Sequence, residues 1–502
     1  MASALLALGL LHESRGQIPA ARAALAAALR VFPAFIAARA AAARLMVADA
    51  ASDAELSEAE AALLQAVEVA EALAAAEGGL VAASNKACAR EVEAGVGARG
   101  ALAMLLCQAG RGAEAKTHLK ELGFSWRLGS PVLCYPISGG GSSSPAGRGE
   151  AAGGRGEACG QLPLAVLDGA LPSPLLRQLQ RAFAPAAPFW SEHGYGPRQG
   201  YFSYMFPLAG DQAADSSLGQ LARHLRSLAL PHFPAVAEAR YAEWWAHCRR
   251  HNSGHQLHFD SDDEGVGGIR NPIISTVCYL SSSRSTDSGG SSGSRGSRTG
   301  TTDGDGSSSE GGAFVGGPTL VTDQLLGGPL ATRGWLATPA VNRVTFFDGG
   351  VLHGVVPGRG ASSDPFARRC TLMVAFWREL RTRLPADGQL GAAMPMPAPR
   401  LREPCAATSK GGKRPREDPQ QRAEPPAAAA ADAAAGDEAA EAQKAGEAAW
   451  ISMLEPLPGE GAWLAQVAPT PVTPTPVAAV WEPVDPGRAG RAPSYSACFQ
   501  GF

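Results

Sequence analysis

The sequence predicts an α+β protein of several domains: a helical region first, a β-rich barrel or jelly roll second, and a largely disordered tail last. Apolar residues recur every three or four positions through residues 1–130, as they do in packed helices. Between residues 195 and 378, short β-branched and aromatic runs alternate with turns. The 502 residues include 60 glycines and 38 prolines, so much of the chain is expected to be linker or tail.

The helical region, residues 1–130, contains two partial matches to the 34-residue tetratricopeptide (TPR) pattern. The first match comprises Leu5, Leu8, Gly9, His12, Gly16, Ala21, Leu25, Ala28 and Pro33. The second lacks the closing proline and comprises Leu102, Ala103, Leu106, Gly110, Ala115, Leu119 and Leu122. We predict a short, degenerate TPR-like solenoid, the alternative being an alanine-rich helical bundle. Solenoids present extended concave surfaces, so this region predicts an unidentified protein or peptide partner.

Composition sets the remaining boundaries. Residues 131–160 are predicted as a Gly/Ser-rich linker, and residues 161–383 as the β-rich domain, with a disordered insertion at 281–312. Residues 384–449 form an Ala/Pro-rich tail that is predicted to be disordered. Residues 450–502 contain aromatic side chains that disordered tails usually lack, namely Trp450, Trp463, Trp481, Tyr495, Phe499 and Phe502. We expect this last segment to dock on the folded part, the alternative being a short partner-binding motif.

Charge and cysteine content exclude several classes of protein. The formal net charge of −3 argues against a nucleic-acid partner. The chain has no run of 18 apolar residues, so no membrane span is predicted. The nine cysteines are scattered without a C-x-x-C pair, which favours a reducing compartment. We expect a cytoplasmic protein. The basic stretch Lys413–Arg416 leaves the nucleus open, and a plastid is not excluded.

The stretch Cys248–Glu264 contains the chemistry-bearing motif. On an extended strand, His258 and Asp260 project to the same face. His353 is the only histidine that follows Asp260 in the chain, and it ends a strand-like run. Two histidines and one carboxylate form a facial triad that suits Fe(II), because it leaves three coordination positions open. We therefore predict His258, Asp260 and His353 as metal ligands and catalytic residues.

A co-substrate carboxylate would need a cationic anchor, and arginine can bind one bidentately. Arg369 opens the strand-like run RCTLMVAFW, and alternation places Thr371 on the same face, where its hydroxyl can add a hydrogen bond. Arg369 and Thr371 are therefore the predicted co-substrate-binding residues. Arg368 has the opposite strand parity and Arg359 lies in a Gly-flanked turn, so both are weaker candidates.

The constellation H-x-D … H … R-x-T resembles that of the 2-oxoglutarate- and Fe(II)-dependent dioxygenase superfamily. Three stretches add to the likeness to prolyl 4-hydroxylase-like members: LPLAVLDGALPSPLLRQLQRAF, GGPTLVTDQ and LHGVVPGRG. The resemblance covers roughly residues 162–380 and suggests an algal or plant subgroup. It implies a double-stranded β-helix fold, and oxidative decarboxylation of 2-oxoglutarate to succinate coupled to hydroxylation of an unknown substrate. It also implies O2 as co-substrate and stimulation by ascorbate. Collagen-type members usually carry lysine where Arg369 stands, which puts a prolyl substrate, though not the chemistry, in doubt.

The segment before the metal motif supplies candidate substrate contacts. Trp190, His193, Tyr195 and Tyr204 lie in an aromatic, glycine-rich stretch of a kind that folds over the active site in related enzymes. Ordinary edge-strand packing is the alternative. For the whole chain, the alternative to an enzyme is a TPR-like scaffold with a catalytically inactive barrel. A metal enzyme of the cupin type that does not use 2-oxoglutarate is a third interpretation.

Overall fold

The computed structural model describes residues 1–76, 86–136, 162–195, 201–209, 216–262, 268–281, 315–362, 364, 367–383, 391–397, 449–459, 463, 467–488 and 490–501. Most of the predicted linker, the insertion beyond Ser281 and nearly all of the predicted tail, including Lys413–Arg416, lie outside these residues. Phe502 also lies outside them. The description that follows concerns the described residues alone.

Helices dominate the first part of the chain, as predicted. They are α1 (Ala2–Ser14), α2 (Ile18–Val31), α3 (Ile36–Asp49), α4 (Asp53–Ala76), α5 (Lys86–Gln108), α6 (Gly112–Glu121) and α7 (Ser130–Leu133). Each helix from α1 to α6 packs against the next one in the chain. A Cβ atom added to Gly95 would lie 2.6 Å from the Cβ of Ala70, so glycine permits the close contact of α4 and α5. The short helix α7 begins at Ser130 and extends into the range 131–160 that the sequence predicts as linker.

The second part of the chain contains most of the strands and four further helices. The helices are α8 (Ser173–Ala182), α9 (Pro188–Glu192), α10 (Ser217–Ala229) and α11 (Ala449–Ser452). The strands are β1 (Trp126–Leu128), β2 (Leu164–Asp168), β3 (Tyr204–Pro207), β4 (Tyr241–Arg249), β5 (His255–His258), β6 (Ile274–Tyr279), β7 (Thr319–Leu325), β8 (Gly334–Ala337), β9 (Val344–Asp348), β10 (Val351–Val355), β11 (Arg369–Trp377), β12 (Met394–Pro395), β13 (Thr470–Val472), β14 (Thr475–Val477) and β15 (Trp481–Pro483).

Two sheets face each other across a buried interface. One has five strands in the order β14-β8-β7-β10-β5, and the other has eight in the order β12-β3-β4-β11-β6-β9-β2-β13. All neighbouring strands are antiparallel except β12 and β3. Side chains from both sheets meet in one cluster, for example Val321 and Trp335 of the five-stranded sheet with Trp245 and Met373 of the other. This inter-sheet space contains the candidate site.

Helices cover both outer faces of this pair of sheets. Leu175 of α8 and Leu225 of α10 belong to a cluster with Trp244, which faces away from the other sheet. On the opposite side, Leu102 and Leu106 of α5 share a cluster with residues of β5, β7, β8 and β10. The N-terminal helices therefore pack against the outer face of the five-stranded sheet and share its core.

The aromatic C-terminal segment lies against both halves of the fold. Trp450 is buried against Phe189 and Trp244, while β13 pairs with β2 and β14 with β8. Further along, β15 pairs with β1 next to the helical region. The Gln500 side chain then accepts a hydrogen bond from the backbone N–H of Leu257, 2.9 Å away. This segment thus adds an edge strand to each of the two main sheets.

Candidate metal and co-substrate site

Neighbouring strands bring the three predicted metal ligands together. His258 on β5 lies directly opposite His353 on β10, and Asp260 follows β5 by two residues. The nearest Asp260 oxygens lie 3.5 Å from His258 Nε2 and 3.7 Å from His353 Nε2. One potential ligand atom from each residue lies within 4.8 Å of the others. These separations suit three protein ligands on one side of a metal ion.

Backbone carbonyls fix the orientation of both imidazole rings. His258 Nδ1 lies 2.8 Å from the carbonyl oxygen of Gln256, and His353 Nδ1 lies 3.1 Å from that of Val351. A carbonyl only accepts, so each Nδ1 is the donor and the neutral ring keeps its lone pair on Nε2. Both Nε2 atoms face Asp260. Metal-binding histidines usually have such a hydrogen bond on the other ring nitrogen.

Asp260 is held from two directions. Ser275 Oγ donates a hydrogen bond to its Oδ2, and Asn271 Nδ2 donates to its backbone carbonyl oxygen at 2.6 Å. Burial raises the pKa of the Asp260 carboxyl, but the neighbouring His353 and His258 and the Ser275 hydroxyl outweigh it and leave the pKa below its usual value. Asp260 is therefore ionised at neutral pH, as a metal ligand must be.

The pKa values of His258 and His353 are shifted in opposite directions. Burial lowers the pKa of His353 to about 4, with partial compensation from Asp260. Burial also lowers the pKa of His258, but the hydrogen bond and the charge of Asp260 prevail, so its net pKa is raised. His353 is therefore neutral at physiological pH. At His258, a metal ion must compete with a proton for the ring nitrogen.

Arg369 lies across the cavity from these ligands. A narrow cavity of about 50 Å³ lies between the sheets and is lined by His258, Asp260, His353, Arg369 and Thr371, among others. Arg369 is 4% exposed, and its Nη1 donates to the carbonyl oxygen of Gly317 at 3.0 Å. Its Nε has no hydrogen-bond partner, and no carboxylate of the described residues lies within 4 Å of the guanidinium. A buried cation without a counter-ion is costly, so this arginine is suited to an anionic ligand.

Glycine allows the Arg369 side chain to lie flat against the backbone. Gly316 has φ +84°, and a Cβ there would lie 2.9 Å from Arg369 Nη1. Hydroxyl groups line the same end of the cavity, because Thr371 and Tyr279 lie opposite each other on β11 and β6. The Tyr279 hydroxyl lies 2.6 Å from Thr319 Oγ1. Each hydroxyl can donate to an anion, so neutral donors lie beside Arg369 at this end of the cavity.

Sequence reasoning missed several residues that line the cavity. Tyr279 was not singled out, although alternation along β6 would place it on one face with Val277 and Ser275. Strict alternation along a strand would turn His255 away from His258, but in the structure β5 takes three residue steps, from His255 to His258, opposite two steps of β10, from His353 to Val355. This irregularity lets both histidines line the cavity.

Histidines His247 and His255 extend the row of rings. The ring centroids of His247 and His255 are 5.5 Å apart, and those of His255 and His258 are 4.5 Å apart. Burial lowers the pKa of His255 to about 3 and that of His247 well below its usual value. Both rings are therefore neutral at physiological pH and add no positive charge to the cavity.

The four candidate substrate contacts lie mainly behind the sheet. Trp190, His193 and Tyr204 pack in the aromatic cluster with Trp450, and none of them lines the cavity. The Trp190 indole donates to a backbone carbonyl, and His193 Nε2 lies 2.8 Å from the Tyr204 hydroxyl. Tyr195 is different, because its hydroxyl lies 2.9 Å from His247 Nδ1, and His247 lines the cavity.

Comparison with known proteins gives structural neighbours only. No family model and no curated protein matches the chain. Solved structures that resemble it include a prolyl-4-hydroxylase from Pseudomonas putida, with 15% identity and a TM-score of 0.25 over 43% of this chain and 89% of the other. A viral collagen prolyl hydroxylase, vCPH, from Paramecium Bursaria Chlorella virus-1 has 12% identity and a TM-score of 0.25 over 44% and 98%. HygX from Streptomyces hygroscopicus, with nickel and 2-oxoglutarate bound, has 12% identity and a TM-score of 0.22 over 43% and 83%.

Two of these neighbours are prolyl hydroxylases and the third contains nickel and 2-oxoglutarate; at such scores the chemistry must be argued from the site itself. Within the described ranges, no helix combines the length and the hydropathy needed to cross a bilayer.

Proposed function

We propose that this chain is a 2-oxoglutarate- and Fe(II)-dependent oxygenase that couples oxidative decarboxylation of 2-oxoglutarate to hydroxylation of a second substrate. The proposal depends on one observation: a His-Asp-His cluster lies across a cavity from a buried arginine that has no carboxylate partner among the described residues. The cluster supplies ligands for a metal that keeps open positions. The arginine requires an anion, and 2-oxoglutarate has a keto acid at one end and a carboxylate at the other.

The donor set fits Fe(II). His258 and His353 present Nε2 and Asp260 an ionised carboxylate, while Nδ1 hydrogen bonds and Ser275 hold these groups in place. When bound, Fe(II) would supply the redox chemistry for activating O2 and for the oxidation. The protein residues would orient the metal, bind the distal carboxylate at Arg369 and Thr371, and exclude bulk water.

Several finer statements belong to this proposal. The two facing sheets suit a double-stranded β-helix, and helices α1–α6 suit a degenerate TPR-like region that could bind a protein or peptide partner. We propose a protein side chain, such as that of proline, as the class of substrate, with Tyr195 the best placed of the four aromatic candidates to contact it. We also propose stimulation by ascorbate, a cytoplasmic location with the nucleus and plastid as alternatives, and origin in an algal or plant subgroup.

The decisive experiment is succinate release from 2-oxoglutarate by anaerobically purified protein with Fe(II) and ascorbate, without an added substrate. Turnover should be lost in His258→Ala and Arg369→Ala and retained in Arg368→Gln, which alters a neighbouring arginine that does not line the cavity. Binding of Mn(II) and 2-oxoglutarate is measured in parallel on the same samples. Absence of both turnover and binding in the wild type would contradict the proposal and favour the scaffold alternative.

A further inference from the structure

Arg249 lies beside Arg369 at one end of the candidate cavity. Arg249 is the last residue of β4 and Arg369 the first of β11, and the two are direct partners in the antiparallel register. Directly opposite residues have Cα atoms about 4.5–5.5 Å apart and project to the same face. Both line the cavity together with Thr371 and His247, the next pair on that face.

The two guanidinium groups have no counter-ion between them. Other arginines of the barrel do have one: Arg343 binds Asp168 through two nitrogens, and Arg250 pairs with Asp49 at 3.1 Å. Within the described residues, no carboxylate lies within 4 Å of Arg249 or Arg369. Like charges directly opposite on neighbouring strands destabilise a sheet. Two neighbouring arginines that line a cavity without a carboxylate partner indicate a site for an anionic ligand.

The groups around the pair cannot supply the missing charge. Arg249 lies next to the hydroxyl of Tyr195, and Arg369 lies near that of Tyr279. Burial raises the pKa of both phenols, so both stay neutral at physiological pH. The nearest acid that lines the cavity is Asp260, which belongs to the metal cluster. The net positive charge at this end is therefore available to a ligand.

We propose that Arg249 and Arg369 together form the binding site for the distal carboxylate of the co-substrate, with Arg249 as a second anchor. The inference rests on the proposed function and deepens it. A carboxylate has two oxygens with about four acceptor positions, so it can accept hydrogen bonds from two guanidinium groups at once. Because the two arginines are register partners, an anion bound by Arg369 lies within reach of Arg249.

The test measures binding rather than turnover. Full-length protein loaded with Mn(II) is dialysed to equilibrium against radiolabelled 2-oxoglutarate, for the wild type, Arg249→Gln, Arg249→Lys and Arg369→Gln. Arg368→Gln is the matched control. Loss of one charge-assisted contact predicts a Kd about ten-fold higher for Arg249→Gln. Arg249→Lys should give a smaller increase, because its ammonium keeps the charge but not the planar fork.

A second ligand separates carboxylate binding from a general loss of structure. 2-Oxopentanoate has the same five-carbon chain and keto acid but ends in a methyl group, so its affinity should be the same for the wild type and Arg249→Gln. Its binding is read from the relaxation of its protons by Mn(II). Equal weakening of both ligands, or unchanged 2-oxoglutarate affinity in Arg249→Gln, would overturn the inference. Unchanged 2-oxoglutarate affinity in Arg249→Gln, together with altered turnover of the second substrate, would assign Arg249 to binding of that substrate instead.

The proposed function fails in a different way. If the wild type does not bind 2-oxoglutarate, or if Arg369→Gln leaves its affinity unchanged, the oxygenase proposal itself is wrong. If Arg369→Gln weakens binding and Arg249→Gln does not, the oxygenase proposal stands and the second anchor is refuted.

Discussion

Replacing Glu243 by glutamine should change how the stability of the protein depends on pH. Glu243 lies on β4 with 3% of its surface exposed, and its Oε1 accepts hydrogen bonds from the hydroxyls of Ser203 and Tyr201. Burial raises its pKa to about 7 from an ordinary value of 4.5; the two hydrogen bonds oppose this shift and the negative charge of Asp260 adds to it. A carboxyl with a raised pKa is stabilised in its protonated form by folding.

The direction and size of the effect follow from this shift. Below pH 4.5 the carboxyl is protonated in both states, so its ionisation costs nothing. Between pH 4.5 and about 7 only the folded state keeps the proton, so stability falls as pH rises. Above about pH 7 the loss is complete and amounts to about 3 kcal/mol, at 1.36 kcal/mol for each pKa unit. Glutamine is neutral throughout and retains an acceptor oxygen.

The assay is urea unfolding of the wild type and Glu243→Gln at pH 5 and pH 8. The free energy of unfolding of the variant, relative to that of the wild type, should rise by about 2.5 kcal/mol between these two values, because part of the loss has already occurred at pH 5. Glu238→Gln is the control, because Glu238 is exposed and pairs with Arg378 on the surface. Parallel pH profiles for the wild type and Glu243→Gln would refute the argument that Glu243 is buried in its protonated form.

Three further predictions test other parts of the fold and site. Trp450→Ala removes a buried indole from the aromatic cluster and should lower the free energy of unfolding by about 3–5 kcal/mol in urea titrations, whereas exposed Ser452→Ala should change it little. Ser275→Ala removes the hydrogen bond to Asp260 and should weaken Mn(II) binding about 10–100-fold by equilibrium dialysis; unchanged affinity would mean that Asp260 needs no such support. Arg359→Ala removes contacts to the carbonyl oxygens of Gln108, Cys134 and Tyr135 and should lower stability by about 2–4 kcal/mol, measured by urea unfolding; intact stability would show that these contacts are dispensable.

Local patterns predict the inner face of the site because strand alternation is a local property. The period of two on β11 places Arg369, Thr371 and Met373 on one face, and the structure has all three lining the cavity. The H-x-D spacing works in the same way for His258 and Asp260. His255 shows the limit of such reasoning, because an irregular register is set by the neighbouring strand and not by the residue's own sequence.

The two short strands β13 and β14 near the end of the chain could not be predicted from the sequence, because each pairs with a distant strand. The stretch TPVTPTPV contains both β13 and β14, yet its prolines suggest an irregular segment. Proline cannot donate to a ladder, so it is tolerated at the edge of a sheet. Both strands lie at sheet edges, where Pro471 faces Leu167 and Pro476 faces Trp335. Their partners are more than a hundred residues away, so no local window could identify them.

The position of the helical region bears on how the metal ligands are held. On β5 and β10 the ligands His258 and His353 face the cavity, whereas the preceding residues Leu257 and Leu352 belong to the cluster that contains α5. Because neighbouring residues of a strand project to opposite faces of the sheet, the orientation of each histidine depends on the packing of the leucine before it. Helix α5 therefore lies directly behind the two strands that present the candidate metal ligands. Loss of packing at Leu257 or Leu352 would then disturb the ligand geometry without altering any ligand.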